Sequence, residues 1–276
     1  THNGGVNTDA YAQRIVCMTE ETTETLYALG EEARIVGISG FTVRPPRARK
    51  EKPKVSAFTS AKIDRILALE PDLVLGFSDL QADIAAELIR AGIAVHVFNH
   101  RSVAGIFGMI RTLGGLIGQQ DRAAAYASEL ADGLDAVRGS AATGRRPRVY
   151  FEEWDEPQIS GIRWVSELIE IAGGDDCFPE LAQESLAKNR IIADPEEVVR
   201  RAPDIIIGSW CGKKFRPERV ASRPGWDAVP AVETGNVLEV KSPLILQPGP
   251  AALTDGVAAL RAAIVSWQLQ QAAGAG

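Results

Sequence analysis

The chain has 276 residues, 45% of them hydrophobic and 24% charged, with a formal net charge of −6. That is the profile of a soluble globular protein long enough for two domains of ordinary size. The acidic balance and the lack of a long Lys/Arg run argue against nucleic acid as a partner, and no apolar run reaches the length that a bilayer crossing needs.

There are three histidines (His2, His96 and His100) and three cysteines without a CxxC motif, so no metal site is expected. Cys17 lies in an apolar run and reads as a small core residue. Cys177 and Cys211 fall in one half of the chain and could pair in an oxidising compartment, which the sequence leaves open. The opening Thr-His-Asn-Gly-Gly carries no secretory signal, a start as consistent with an excised signal as with a cytosolic origin.

In chain order, residues 1–12 read as a flexible leader. A strand over 14–18 meets Thr19-Glu20-Glu21-Thr22, an N-cap-like run opening a helix to residue 29, and 35–38 is a second strand. Segment 39–60 is expected as a loop of functional length. It holds Phe41, Arg44, Pro45, Pro46 and Phe58, and its basic stretch 44–54 reads as solvated. A helix over 62–69, a strand over 73–76 ending at Phe77-Ser78-Asp79, a helix over 84–91 and a strand over 94–98 continue a βαβ alternation that signals a parallel sheet. A helix over 103–117 closes a first lobe, 13–120.

A long helix is expected over 121–142. Asp121 is its N-cap, and Ala127, Leu130, Leu134, Val137 and Ala141 lie on one apolar face. A second lobe, 143–270, opens with a strand over 148–151, followed by Glu152-Glu153-Trp154-Asp155-Glu156-Pro157. Then come a helix from Trp164 to 172, a loop to Arg190, a helix over 195–201, and a strand over 205–208 ending at Ser209-Trp210-Cys211. A helix near 218–221, the turn Arg223-Pro224-Gly225-Trp226, a strand over 236–240, a loop over 242–250 and a helix from 251 to 268 complete it. Residues 272–276 are expected to be disordered.

One pattern recurs on either side of the long helix. Residues 63–76 and 195–208 each read as a short helix, a Pro-Asp turn and a continuous apolar strand of the buried parallel type. Residues 14–17 likewise answer 148–151, and 24–30 answer 167–174. A repeat this long predicts an α/β fold of two Rossmann-like lobes joined by a single backbone helix, with a ligand in the cleft between them and little lobe motion. Phe77 and Trp210 follow equivalent strands. Ligands of open α/β sheets bind beyond the carboxyl ends of the strands, so both rings are expected at the site. Trp164 and Trp226 read equally well as core. No G-x-G-x-x-G, G-x-S-x-G or P-loop motif appears and no histidine lies beside a nucleophile, so no catalytic residue is assigned and no enzymatic activity is expected. The carboxylates at 152, 153, 155 and 156 cannot all converge, because alternate strand residues face opposite ways.

These motifs resemble the substrate-binding proteins of iron-siderophore and cobalamin ABC importers. The resemblance rests on residues 63–76, on 164–174 (Trp-Val-Ser-Glu-Leu-Ile-Glu-Ile-Ala-Gly-Gly) and on Arg223-Pro224-Gly225-Trp226. The chain is most similar to the cobalamin-binding members, through residues 39–46, through Val55-Ser56-Ala57-Phe58 and through the stretch from Glu153-Trp154 to Gly161. The resemblance implies a helical-backbone periplasmic binding protein, a monomer in the periplasm or lipid-anchored outside the cell. Such a protein captures a corrinoid of the cobalamin type, needs no cofactor of its own, and delivers its ligand to an ABC permease dimer at the membrane. A ferric siderophore or other metal chelate is the alternative ligand of the same fold.

Position by position, the resemblance puts ligand contacts at Phe41, Phe58, Phe77, Glu153 with Trp154 beside it, Arg190 and Gln247. Arg44, Trp164 and Trp210 join this set on their own chemistry. Phe58 and Arg190 stand where the cobalamin-binding members carry tryptophan, and Glu153 where they carry another aromatic, so charge replaces some of the rings in the second lobe. Arg44, Arg163 and Arg190 would suit an anionic chelate through charge-assisted bonds. Asp64 and Glu196 each stand seven residues before a Pro-Asp pair, where the family places permease-docking glutamates. As residues alone they read as solvated helix acids.

Overall fold

Short apolar runs make the strands of this protein. The computed structural model describes residues 10–276, so residues 1–9 of the expected leader lie outside the described residues. Ala12 is tied down, its carbonyl accepting from Arg34 Nη1 at 2.6 Å. The chain divides into two compact units, one of residues up to 100 and 104–129, the other of residues 101–103 and 130–276. The boundary falls inside the long helix, so the segment expected as a separate bridge is shared between the units.

The first unit is built on a five-stranded parallel sheet in the order β3-β2-β1-β4-β5. Its elements are β1 (Ile15–Cys17), α1 (Glu20–Ala28), β2 (Ile35–Ser39), α2 (Ala48–Glu51), β3 (Lys54–Ser56), α3 (Ile63–Ala68), β4 (Leu73–Phe77), α4 (Ala82–Arg90) and β5 (Val95–Phe98). Ile15, Val16 and Cys17 are fully buried, as a central parallel strand covered on both faces must be. Val16, Val55, Ile66, Val74 and Leu88 share one core. Segment 39–60, expected as a loop, contains α2 and the edge strand β3. Three residues after a proline carry too little periodicity to read as a strand. Next come α5 (Val103–Leu116) and α6 (Gln120–Ser140), the long helix running from the first unit into the second. Ala127, Leu130 and Leu134 are buried along α6 as the spacing required. Asp121 sits within its first turn, not at its cap.

The second unit carries the strands in the order β10-β9-β6-β7, with β8 also paired to β6. They are β6 (Arg148–Asp155), β7 (Gln158–Ser160), β8 (Asp175–Asp176), β9 (Ile205–Gly208) and β10 (Val237–Glu239). Its helices are α7 (Arg163–Ile171), α8 (Pro179–Ala182), α9 (Glu196–Arg201), α10 (Pro217–Ala221), α11 (Pro230–Glu233), α12 (Ser242–Ile245) and α13 (Val257–Gly274). Here β6 outruns the expected strand by four residues, because its end pairs antiparallel with β7. The last helix holds to Gly274, where disorder was expected. A π turn over Ala252–Gly256 precedes it; there Gly256 lies so close to the Leu244 carbonyl that a Cβ would meet it at 2.4 Å. Cys177 is buried and Cys211 exposed, and the two do not form the disulfide that the sequence had left open.

The repeat has the same physical meaning in both units. The Pro-Asp turn clamps the start of the neighbouring strand. Asp72 accepts from the amides of Gln13 and Arg14 at 2.8 and 2.9 Å, and Asp204 accepts from the amide of Arg148 at 2.8 Å. The residue before each proline is left-handed, Glu70 with φ 49° and Ala202 with φ 47°. This ends α3 and α9 abruptly, at a cost of about 1–2 kcal/mol for a residue with a Cβ.

Candidate functional site

In the first unit, chemistry gathers where β1, β2 and β4 end. Gln81, fully buried, ties these ends together. Its Oε1 accepts from the Phe77 amide at 2.8 Å, and its Nε2 donates to the carbonyls of Phe58 at 3.0 Å and Met18 at 3.3 Å. Phe58 is half-buried, while Phe77 is buried with its ring edge-on to His100 at 5.4 Å. Ser78 turns with φ 66° and its hydroxyl accepts from the Leu80 amide, which leaves Leu80 57% exposed. Ser39 likewise accepts from the Phe41 amide at 3.2 Å, and Phe41 is also 57% exposed. Arg44 is half-buried, its Nε 3.3 Å from both carboxylate oxygens of Glu24.

An acid sits under the same strand ends. Thr19 does not cap α1 with its side chain; its hydroxyl donates to Glu21 Oε1 at 2.6 Å. Burial, with the negative charge of Glu20 added, pushes the Glu21 carboxyl up to about 8. It is therefore largely protonated at neutral pH.

In the second unit, buried Glu152 is the hub, inside β6 and opposite Gly208, the last residue of β9. It accepts from Tyr150 Oη at 2.7 Å, Trp210 Nε1 at 3.0 Å, and Arg223 Nη1 and Nη2 at 2.7 and 2.9 Å. Trp210 is thus 3% exposed, packed edge-to-face on Phe215. The Phe215 ring lies over Gly208, where a Cβ would collide at 1.9 Å. The ring expected to face the ligand is held mainly in the core. Trp164 is also buried, its Nε1 donating to the Ile245 carbonyl at 2.8 Å.

Arg190 is 2% exposed. Its donors serve the carbonyls of Ser160, Glu184 and Ser185 and the Glu153 carboxylate at 2.8 Å. The cation expected to meet an anionic ligand is therefore engaged within the protein. Burial raises the Glu153 carboxyl, partly offset by Arg190. Arg163 is exposed, 3.8 Å from Glu167. Trp154 and Gln247 are half-buried. With Glu153, Ile159, Cys211 and Leu246, Trp154 lines a cavity of about 300 Å³. Asp64 is exposed on α3. Glu196, 81% exposed, opens α9 with a distant Arg200 contact at 3.7 Å, while its neighbour Glu197 is taken up by Arg200 and Arg201.

Sequence reasoning missed Gln81, Leu80 and the role of Glu152. Leu80 directly follows the Phe77-Ser78-Asp79 strand exit and was open to the same strand-end argument; the partners of Gln81 and Glu152 lie far apart in the chain.

Two α/β lobes threaded by one long helix define a helical-backbone binding protein. The chain belongs to the periplasmic binding protein family, matching it over residues 15–244. It is 26% identical to the cobalamin-binding protein of Halobacterium salinarum over 261 residues, covering 90% of this chain and 68% of that one. With the vitamin B12-binding protein of Vibrio parahaemolyticus the identity is 24%, covering 87% and 86%. The periplasmic vitamin B12 binding protein of Vibrio cholerae shares the fold with a TM-score of 0.73 at 22% identity, over 93% of this chain and 98% of that one.

Proposed function

We propose that the protein is an extracytoplasmic solute-binding protein that captures a corrinoid at its strand ends and hands it to the permease of an ABC importer. The observation that carries this reading is the pair Phe41 and Leu80, each 57% exposed just beyond the carboxyl ends of β2 and β4. A bulky ligand with a large apolar contact area supplies what those groups lack. The names of the cobalamin-binding and vitamin B12-binding relatives support the same ligand. Asp64 and Glu196, at matched positions of the two repeated helices, are the permease-docking acids, and the protein acts as a monomer. Periplasmic or lipid-anchored placement fits the family and a relative described as an ABC transporter substrate-binding lipoprotein. Among the described residues no helix is long and apolar enough to cross a membrane.

Incubation with cyanocobalamin followed by desalting tests the reading. The protein fraction should keep the corrinoid absorbance at one ligand per chain. Retention of a ferric hydroxamate with no corrinoid retained would put the metal-chelate alternative in its place.

A further inference from the structure

A second cavity in the second unit, of about 420 Å³, is open to a different kind of ligand group. It lies at the carboxyl ends of β9 and β10, the end of a parallel sheet where ligands bind. Lys213, Lys214 and Lys241 line it with Ser209 and Glu239, which makes it a locally basic spot on a chain of net charge −6. Lys213 is partly committed, with its ammonium 2.5 Å from buried Asp155 and over the rings of Trp154 and Trp210. Glu239 is also engaged, accepting the Phe215 amide at 2.9 Å. Lys214 and Lys241 are exposed and have no acceptor among the described residues. The Ser209 hydroxyl is buried without a hydrogen-bond partner among the described residues, although buried hydroxyls normally have one. The volume is large against the ~30 Å³ share of a water molecule, so an esterified oxyanion fits with waters to spare.

We infer that this cavity is an anion subsite, in which Lys214 and Lys241, lining it with Ser209, receive the phosphate or carboxylate group of an anionic solute. Ammonium groups bind such oxyanions as point charges. Lys213, fixed by Asp155 and two indoles, adds field without needing to move. The subsite takes over the role that Arg190, enclosed by its own carbonyl partners, does not play. It rests on the solute-binding reading above and narrows the ligand to one bearing an anionic substituent. A corrinoid with its nucleotide loop carries a phosphodiester, and a corrinoid lacking that loop does not.

The test is calorimetric titration of wild type and a Lys214→Gln/Lys241→Gln variant with cyanocobalamin, dicyanocobinamide (which lacks the phosphodiester) and haemin (which carries two carboxylates). Both lysines are exposed, so the variant should fold as wild type does. Wild type should prefer cyanocobalamin to dicyanocobinamide, and the variant should lose affinity for cyanocobalamin by roughly tenfold or more while keeping its affinity for dicyanocobinamide. Added salt should erode the preference in wild type only. Equal binding of both corrinoids by both proteins overturns the subsite and leaves the corrinoid reading standing. If neither corrinoid binds wild type, the corrinoid reading falls and haemin decides. A lysine-dependent haemin affinity supports the subsite in its carboxylate form, and lysine-independent or absent binding overturns it.

Discussion

Glu21 gives the sharpest physical test of the first unit. Its carboxyl is 1% exposed, accepts from Thr19 and is pushed from 4.5 up to about 8, by burial first and then by Glu20. In the unfolded chain the group ionises near its ordinary value. Between about pH 4.5 and 8 the folded state therefore holds a proton that the unfolded state has lost. Stability falls as pH rises wherever the native state binds more protons. The contribution of Glu21 is neutral below about pH 4.5 and wholly unfavourable above about pH 8. At about 1.4 kcal/mol per pKa unit, the full cost is on the order of a few kcal/mol. Glu21→Gln keeps an acceptor for Thr19 and removes the titration. Urea unfolding of both proteins from pH 5 to pH 8.5 should show wild type losing stability along that range and the variant losing much less, the two converging near pH 5. Parallel curves for the two proteins would refute the placement of a neutral carboxyl under the β1 end.

The other predictions rest on separate features. Ala202→Gly relieves the left-handed residue that ends α9 and should raise the melting temperature by roughly 1–2 °C, after the entropy that glycine adds to the unfolded chain is subtracted; a lower melting temperature would count against the strain. Burial pushes the Cys17 thiol up to about 11 and the Cys177 thiol up to about 12, so a disulfide reagent should titrate Cys211 alone in the native protein. Asp64→Arg or Glu196→Arg should leave ligand affinity intact and weaken uptake through the permease, and equal losses of both would remove the docking assignment.

Much of the fold was legible because parallel strands buried on both faces are unbroken apolar runs. Ile205–Gly208 could be delimited from sequence alone, and the twin Pro-Asp turns marked where strands meet. The short elements were not legible. Lys54–Ser56 and Gln158–Ser160 owe their strand geometry to a neighbour, not to local pattern. The surroundings of the candidate site residues were less legible than the strands. The strand-end argument singled out Phe77 and Trp210, and the resemblance Phe41 and Trp154, yet neither could tell that Arg190 would be enclosed by the Glu184 and Ser185 carbonyls. Nor could either tell that Glu152 would draw Trp210 into the core. Side-chain partners chosen from distant segments decide such cases, and composition carries no trace of them.

The most direct measurement of the central claim is a calorimetric titration of cyanocobalamin into wild type and into a Phe41→Ala/Leu80→Ala variant. Both side chains are mostly exposed, so removing them should spare the fold. Wild type should bind one equivalent, and the variant should bind at least about tenfold more weakly, the equivalent of roughly 1.4 kcal/mol of lost apolar contact. A wild-type protein that gives no heat with cyanocobalamin, or a variant that binds it as tightly as wild type does, would contradict corrinoid capture at these strand ends.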